Sequence, residues 1–69
     1  MTLGNDMLQL ILNYDTATGD ILTYYERLLI HRAISYKYST GEEMTLDRAL
    51  KEKLIQIIKR INTEGYKAY

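Results

Sequence analysis

Nineteen consecutive residues, Asp20 to Tyr38, contain no Gly, Pro or Asn. Nothing in DILTYYERLLIHRAISYKY signals a turn. A strand of that length would far exceed the usual ~5–6 residues, whereas a helix of that length makes about five turns. The stretch is therefore expected to be a helix over 20–38. At ~100° per residue, Ile21, Leu22, Tyr25, Leu28, Leu29, Ala33 and Tyr36 share one broad side. Ile30, Ile34 and Tyr38 make a second apolar ridge, with Tyr24 beside it. A helix apolar on two faces needs cover on both. One face, with Tyr25 and Tyr36, is assigned to the core. The other, Tyr24, Ile30, His31, Ile34 and Tyr38, is assigned to a homodimer interface.

The flanking segments fill in the fold. Met7, Leu8, Leu10, Ile11, Leu12 and Tyr14 are apolar on almost every side, which predicts a short helix over 5–14 tucked into the core. Asn5 or Asp6 is its candidate cap. Asp15-Thr16-Ala17-Thr18-Gly19 is rich in turn formers and is expected to end it. Thr18 or Asp20 is then the candidate cap of the central helix, and Gly41 its stop. Leu46, Leu50, Leu54, Ile57, Ile58 and Ile61 follow the helical period closely. They predict a third helix over 45–62, capped by Thr45, with Asp47 in its first turn, Lys59 and Arg60 in its last, and Gly65 as its stop. Residues 65–69 read as a frayed tail. The outcome is an all-α, compact three-helix bundle forming a single domain over 1–69. The competing architecture is a β-hairpin, with LQLILNY and ILTYY paired across YDTATGD. It would require a break near Glu26, where no breaker sits.

Sixty-nine residues bury only a small core. Such domains usually add disulfides, metal or a second copy. The chain has no Cys and one His, which removes disulfides, thiolate zinc sites and a histidine cluster. Oligomerisation is the common support that remains, and the two-faced helix gives it a place. No apolar run approaches the ~20 residues of a membrane span, and the N-terminus lacks a signal-peptide pattern. A cytoplasmic protein is expected.

Catalytic constellations are absent from the sequence. Ser35 lies one helical turn after His31, but no carboxylate is spaced to orient the imidazole as a base. Gly19 and Gly41 stand alone, so no phosphate loop is present. Neither a metal nor a cofactor is expected, and the chain reads as a non-enzyme. His31 is either a partly exposed packing residue or a pH-sensitive group in an interface. Seven Tyr with no Phe or Trp favour half-buried and interfacial positions, because Tyr carries apolar area with a polar end.

Charge is balanced overall but unevenly placed. Residues 1–26 carry four acids and no base, and residues 27–69 carry all nine bases against five acids. Arg48, Lys51 and Lys59 fall on the side of the third helix opposite its core stripe, and Lys53 and Arg60 flank that stripe. The five form a candidate phosphate-contacting surface. The alternative is a solvated face whose long stems cover apolar surface. Ile55 points into the basic face.

Gly19-Asp20, Tyr25-Glu26 with Ile30, a Gly41 loop, Asp47, Leu50 and the series Leu54-Ile55…Ile58 occur in an order that resembles the short helix-turn-helix domain of conjugative-transposon regulatory proteins. That family resembles, more distantly, the start of the second region of sigma factors. The resemblance spans about two thirds of the chain. It implies transcriptional or DNA-associated control in a bacterial mobile element or phage. The alternative function is a protein-interaction module, such as a small inhibitor or assembly subunit, without nucleic-acid binding.

Overall fold

A computed structural model describes residues 3–19 and 21–65. It contains three helices, α1 (Asn5–Thr18), α2 (Tyr24–Thr40) and α3 (Arg48–Glu64). No strand occurs among the described residues, so the hairpin alternative is excluded. The radius of gyration is 11.5 Å, close to the ~11 Å of a folded chain of this length. The cap expected at Asp20 and the tail beyond Gly65 fall outside the described residues, while Gly65 itself caps α3.

The shortest helix is the one in the middle. α1 packs against both α2 and α3, while α2 and α3 meet each other over a smaller area. This follows from the residue order of α1. Leu8, Ile11, Leu12, Tyr14 and Asp15 are buried, and Met7 and Leu10 lean on the core. Their side chains cover more than half of the helix circumference, so two neighbours are needed to bury them. α3 supplies the narrower stripe Leu50, Leu54, Ile57, Ile58 and Ile61. α2 contributes only Ile30 and Ala33 as fully buried residues.

Helix ends differ from expectation at several positions. α1 does not stop at Tyr14. Asp15 to Thr18 continue it, with the Thr16 and Thr18 hydroxyls donating back to the carbonyls of Leu12 and Tyr14. Gly19, at φ 89°, then ends the helix in the left-handed region and sends its N–H to the Asp15 carbonyl. α2 starts at Tyr24, four residues later than expected. Thr23 accepts from the Glu26 N–H at 3.1 Å, and the Glu26 carboxylate accepts from the Thr23 N–H at 2.8 Å. This reciprocal box satisfies two otherwise unpaired donors. α3 starts at Arg48, with Asp47 rather than Thr45 at the cap position. It ends at Glu64, before Gly65, so Lys59 and Arg60 sit ahead of the last turn.

The link between α1 and α2 is held by a buried carboxylate. Asp15 Oδ1 accepts from the Leu22 N–H at 2.7 Å, and Oδ2 lies 3.7 Å from the Arg27 guanidinium. Asp15 is 0% exposed. The residue expected to open a turn instead anchors the strandless link that follows.

Of the central-helix face expected in the core, Leu22 and Ala33 are buried and Ile21 and Leu29 pack against the core, but its two tyrosines do not. Tyr25 and Tyr36, expected in the core, are 66% and 41% exposed. Ile30, assigned to a dimer interface, is fully buried in its own chain, and Ile34 packs against the core. Glu26, Ile30, Ala33 and Lys37 recur at helical spacing and face inward. Glu26 and Lys37 close the two ends of this seam through Lys53 and Glu43. Aliphatic side chains have no group that benefits from water, whereas Tyr keeps its hydroxyl hydrated when left outside. Ile30 and Ile34 therefore join Leu29 and Ala33 on the packed side, while the tyrosines of both expected faces stay outside.

Candidate nucleic-acid interface

The core stripe of α3 determines where its cations go. With Leu50, Leu54, Ile57, Ile58 and Ile61 turned inward, Arg48, Lys51, Ile55 and Lys59 project on the opposite side. Arg48 and Lys59 are separated by eleven residues, or about 16 Å of helix. Ile55 lies between Lys51 and Lys59, half-buried and outside the core cluster.

The five basic residues singled out in the sequence do not form one surface. Arg48, Lys51 and Lys59 share the solvent face. Lys53 and Arg60 lie on the other flank, turned towards α1 and α2, and both are engaged. Lys53 Nζ sits 2.7 Å from Glu26 Oε1. The Arg60 guanidinium lies 5.7 Å from the centre of the Tyr14 ring and 3.9 Å from Glu64. Arg48 pairs with Glu52 one turn later at 3.2 Å, but the Arg48 side chain is 92% exposed. Such a pair contributes little and yields readily to a stronger anion. Lys51 and Lys59 make no ion pair among the described residues.

Tyr14 ties α1 to α3. Its ring is buried, and its hydroxyl donates to Glu64. That hydrogen bond, helped by burial, raises the phenol pKa above its ordinary value, against the opposing influence of Arg60. Glu26 is shifted the other way. Burial disfavours its charge, but hydrogen bonds from Lys53 and Thr23 outweigh burial and hold the carboxyl below its ordinary value. This role of Glu26 is not among the sequence expectations. The pattern Thr23-Tyr24-Tyr25-Glu26 carries the capping signal; the Lys53 contact has no local signature.

Of the five residues assigned to a dimer, Tyr24, His31 and Tyr38 are exposed, while Ile30 and Ile34 belong to the core. A partly enclosed cavity of about 250 Å³ lies where the start of α1 meets α2 and the loop before α3. Lys37, Met44 and Lys51 are among its lining residues. Asn5 borders it, with Nδ2 directed at the Ile34 carbonyl, 3.4 Å away. No cluster of three or more His, Asp or Glu able to hold a metal occurs among the described residues. No helix among them is long and apolar enough to cross a membrane.

No family model, curated protein or solved structure matches this chain.

Proposed function

We propose that the protein is a non-enzymatic regulatory protein that binds duplex DNA through the outer face of α3. The observation that carries this reading is the line of Arg48, Lys51 and Lys59 on the solvent side of that helix, with Lys51 and Lys59 making no ion pair among the described residues. Three cations spread over about 16 Å match a run of backbone phosphates rather than a single small anion. The order of residues shared with helix-turn-helix proteins of conjugative transposons supports the same role, in a bacterial mobile element or phage.

Phosphate contact of this kind depends on salt. Three neutralised phosphates give log K against log salt a slope of about −2.7, so affinity falls roughly fortyfold between 50 and 200 mM salt. Fluorescence anisotropy with a labelled duplex measures it. Lys59→Glu lowers affinity at each salt and flattens the slope by about one unit, and Arg48→Glu with Lys59→Glu removes binding. Lys53→Gln leaves the slope unchanged, because Lys53 is turned towards Glu26. A folded protein that leaves the anisotropy flat at both salts overturns the reading.

A further inference from the structure

α2 presents a face that its own chain leaves uncovered. Tyr24 and Tyr38 are 78% and 83% exposed, and Leu28 is half-buried without joining the core. At ~100° per residue, Leu28, Arg32, Ser35 and Ser39 follow one another along a single line of this face. The line changes character along its length. Tyr24, Tyr25 and Leu28 crowd its first half, while Ser35 and Ser39 leave its second half shallow. Beside the serines runs an open groove bounded by His31, Arg32, Tyr36 and Met44. Bulk followed by a shallow track suits a second helix, whose side chains settle over the serines while it packs beside Leu28.

Charge selects the occupant. Glu26 is drawn inward to Lys53 and Thr23, Arg27 leans on buried Asp15, and Lys37 pairs with Glu43. The outward positions between Tyr24 and Ser39 then carry Arg32 next to His31 and no carboxylate. A second copy laid antiparallel on this face would match Leu28 with Ser35 and Tyr24 with Ser39 in size. It would also press two Arg32 side chains together at the midpoint, where like charges repel. A partner that brings carboxylates to that midpoint satisfies both the shape and the charge.

We infer that the outer face of α2 docks an acidic amphipathic helix of a partner protein. Apolar side chains of the partner cover Leu28 and enter the groove beside Met44, a carboxylate meets Arg32, and the tyrosine hydroxyls remain at the wet rim. Arg and Tyr are the residue types that carry most of the energy in protein interfaces. This inference is independent of DNA binding, since α2 and α3 turn different surfaces outward.

The test uses the full chain, labelled with ¹⁵N, and two synthetic amphipathic peptides of about five helical turns, one built of Leu and Glu and one of Leu and Lys. The Leu/Glu peptide shifts the amide signals of Leu28, Arg32, Ser35 and Ser39, and the Leu/Lys peptide does not. Arg32→Glu weakens the Leu/Glu peptide roughly tenfold and Arg32→Lys largely preserves it. Ser35→Trp, which fills the shallow track at an exposed position, blocks it. Lys59→Glu leaves it unchanged, which separates this surface from the DNA-facing one. Equal or tighter binding of the Leu/Lys peptide overturns the inference, as do shifts confined to residues away from α2 and Met44. Shifts at these four residues on raising protein concentration alone would make a second copy the occupant. A single-stranded oligonucleotide that moves them when the Leu/Glu peptide does not would make it nucleic acid. Either result overturns the proposal.

Discussion

Lys53 on α3 places its ammonium 2.7 Å from the carboxylate of Glu26 on α2, across the thinnest contact in the bundle. The same carboxylate oxygen accepts the Thr23 N–H at the start of α2. One side chain thus closes a helix end and joins two helices that otherwise touch little. Because the folded carboxyl is held below its ordinary value of 4.5, its stabilising contribution is complete above that value. It is lost as pH falls through the depressed value. Glu26→Gln keeps the cap and removes the charge. We expect it to cost about 0.5–1 kcal/mol at neutral pH, a figure reduced by the partial exposure of Lys53. The difference from wild type should shrink to nothing in strong acid. Urea denaturation followed by circular dichroism across that pH range measures it; a difference that grows on acidification is the contrary result.

Asp15 and Arg27 provide a second check, on the link between α1 and α2. Asp15→Ala removes the acceptor for the Leu22 N–H and leaves that buried donor unsatisfied. A loss of about 1–3 kcal/mol is expected. Asp15→Asn retains one acceptor and should lose less. In a double-mutant cycle with Arg27→Met, a coupling of about 1 kcal/mol is expected. Additive losses would show that the 3.7 Å approach contributes nothing.

Much of this fold is readable from residue order, and the exceptions have physical causes. The stripe of α3 is strictly periodic, so its buried residues and its outward Arg48, Lys51 and Lys59 follow directly. The apolar character of α1 on nearly all sides predicts a helix enclosed by neighbours, as observed. α2 is different. Its two faces are about equally apolar if Tyr counts as apolar, and periodicity cannot choose between them. The hydroxyl does so, by making Tyr tolerable in water while Ile30 is not. Asp15 misled for a related reason. Its turn tendency is a local preference, overridden by a buried N–H at Leu22 that needs an acceptor. At the candidate site, which cations face outward was legible. That Lys53 and Arg60 are held by Glu26, Tyr14 and Glu64 was not, since those contacts join residues far apart in the chain.

Tyr14 should titrate apart from the exposed tyrosines. Its hydrogen bond to Glu64 and its burial both favour the neutral phenol, so ionisation is deferred above the ordinary value of 10.0. With the folded value raised, the contribution of this bond is present below 10.0 and is lost as pH rises through the higher value. Absorbance at the phenolate band, followed against pH, should show a late component. Tyr14→Phe should remove it, and Glu64→Gln should bring it to lower pH. A late component that survives Tyr14→Phe would assign it to another tyrosine.

The choice of inner face on α2 is tested by truncating one residue from each side. Ile30 is 0% exposed, so Ile30→Ala removes buried methylenes and leaves a cavity in a core that has few residues to spare. A loss of about 2–4 kcal/mol is expected, a large part of the stability of so small a domain. Tyr25 is mostly solvated, and Tyr25→Ala should change stability by no more than about 0.5 kcal/mol. Thermal and urea unfolding of the two variants, compared side by side, gives the order directly. If Tyr25→Ala were the more damaging of the pair, the tyrosine face would be the packed one, and the groove proposed for an acidic helix would lie inside the protein. If Ile30→Ala is the more damaging, the exposed line from Leu28 to Ser39 remains free for a partner to cover.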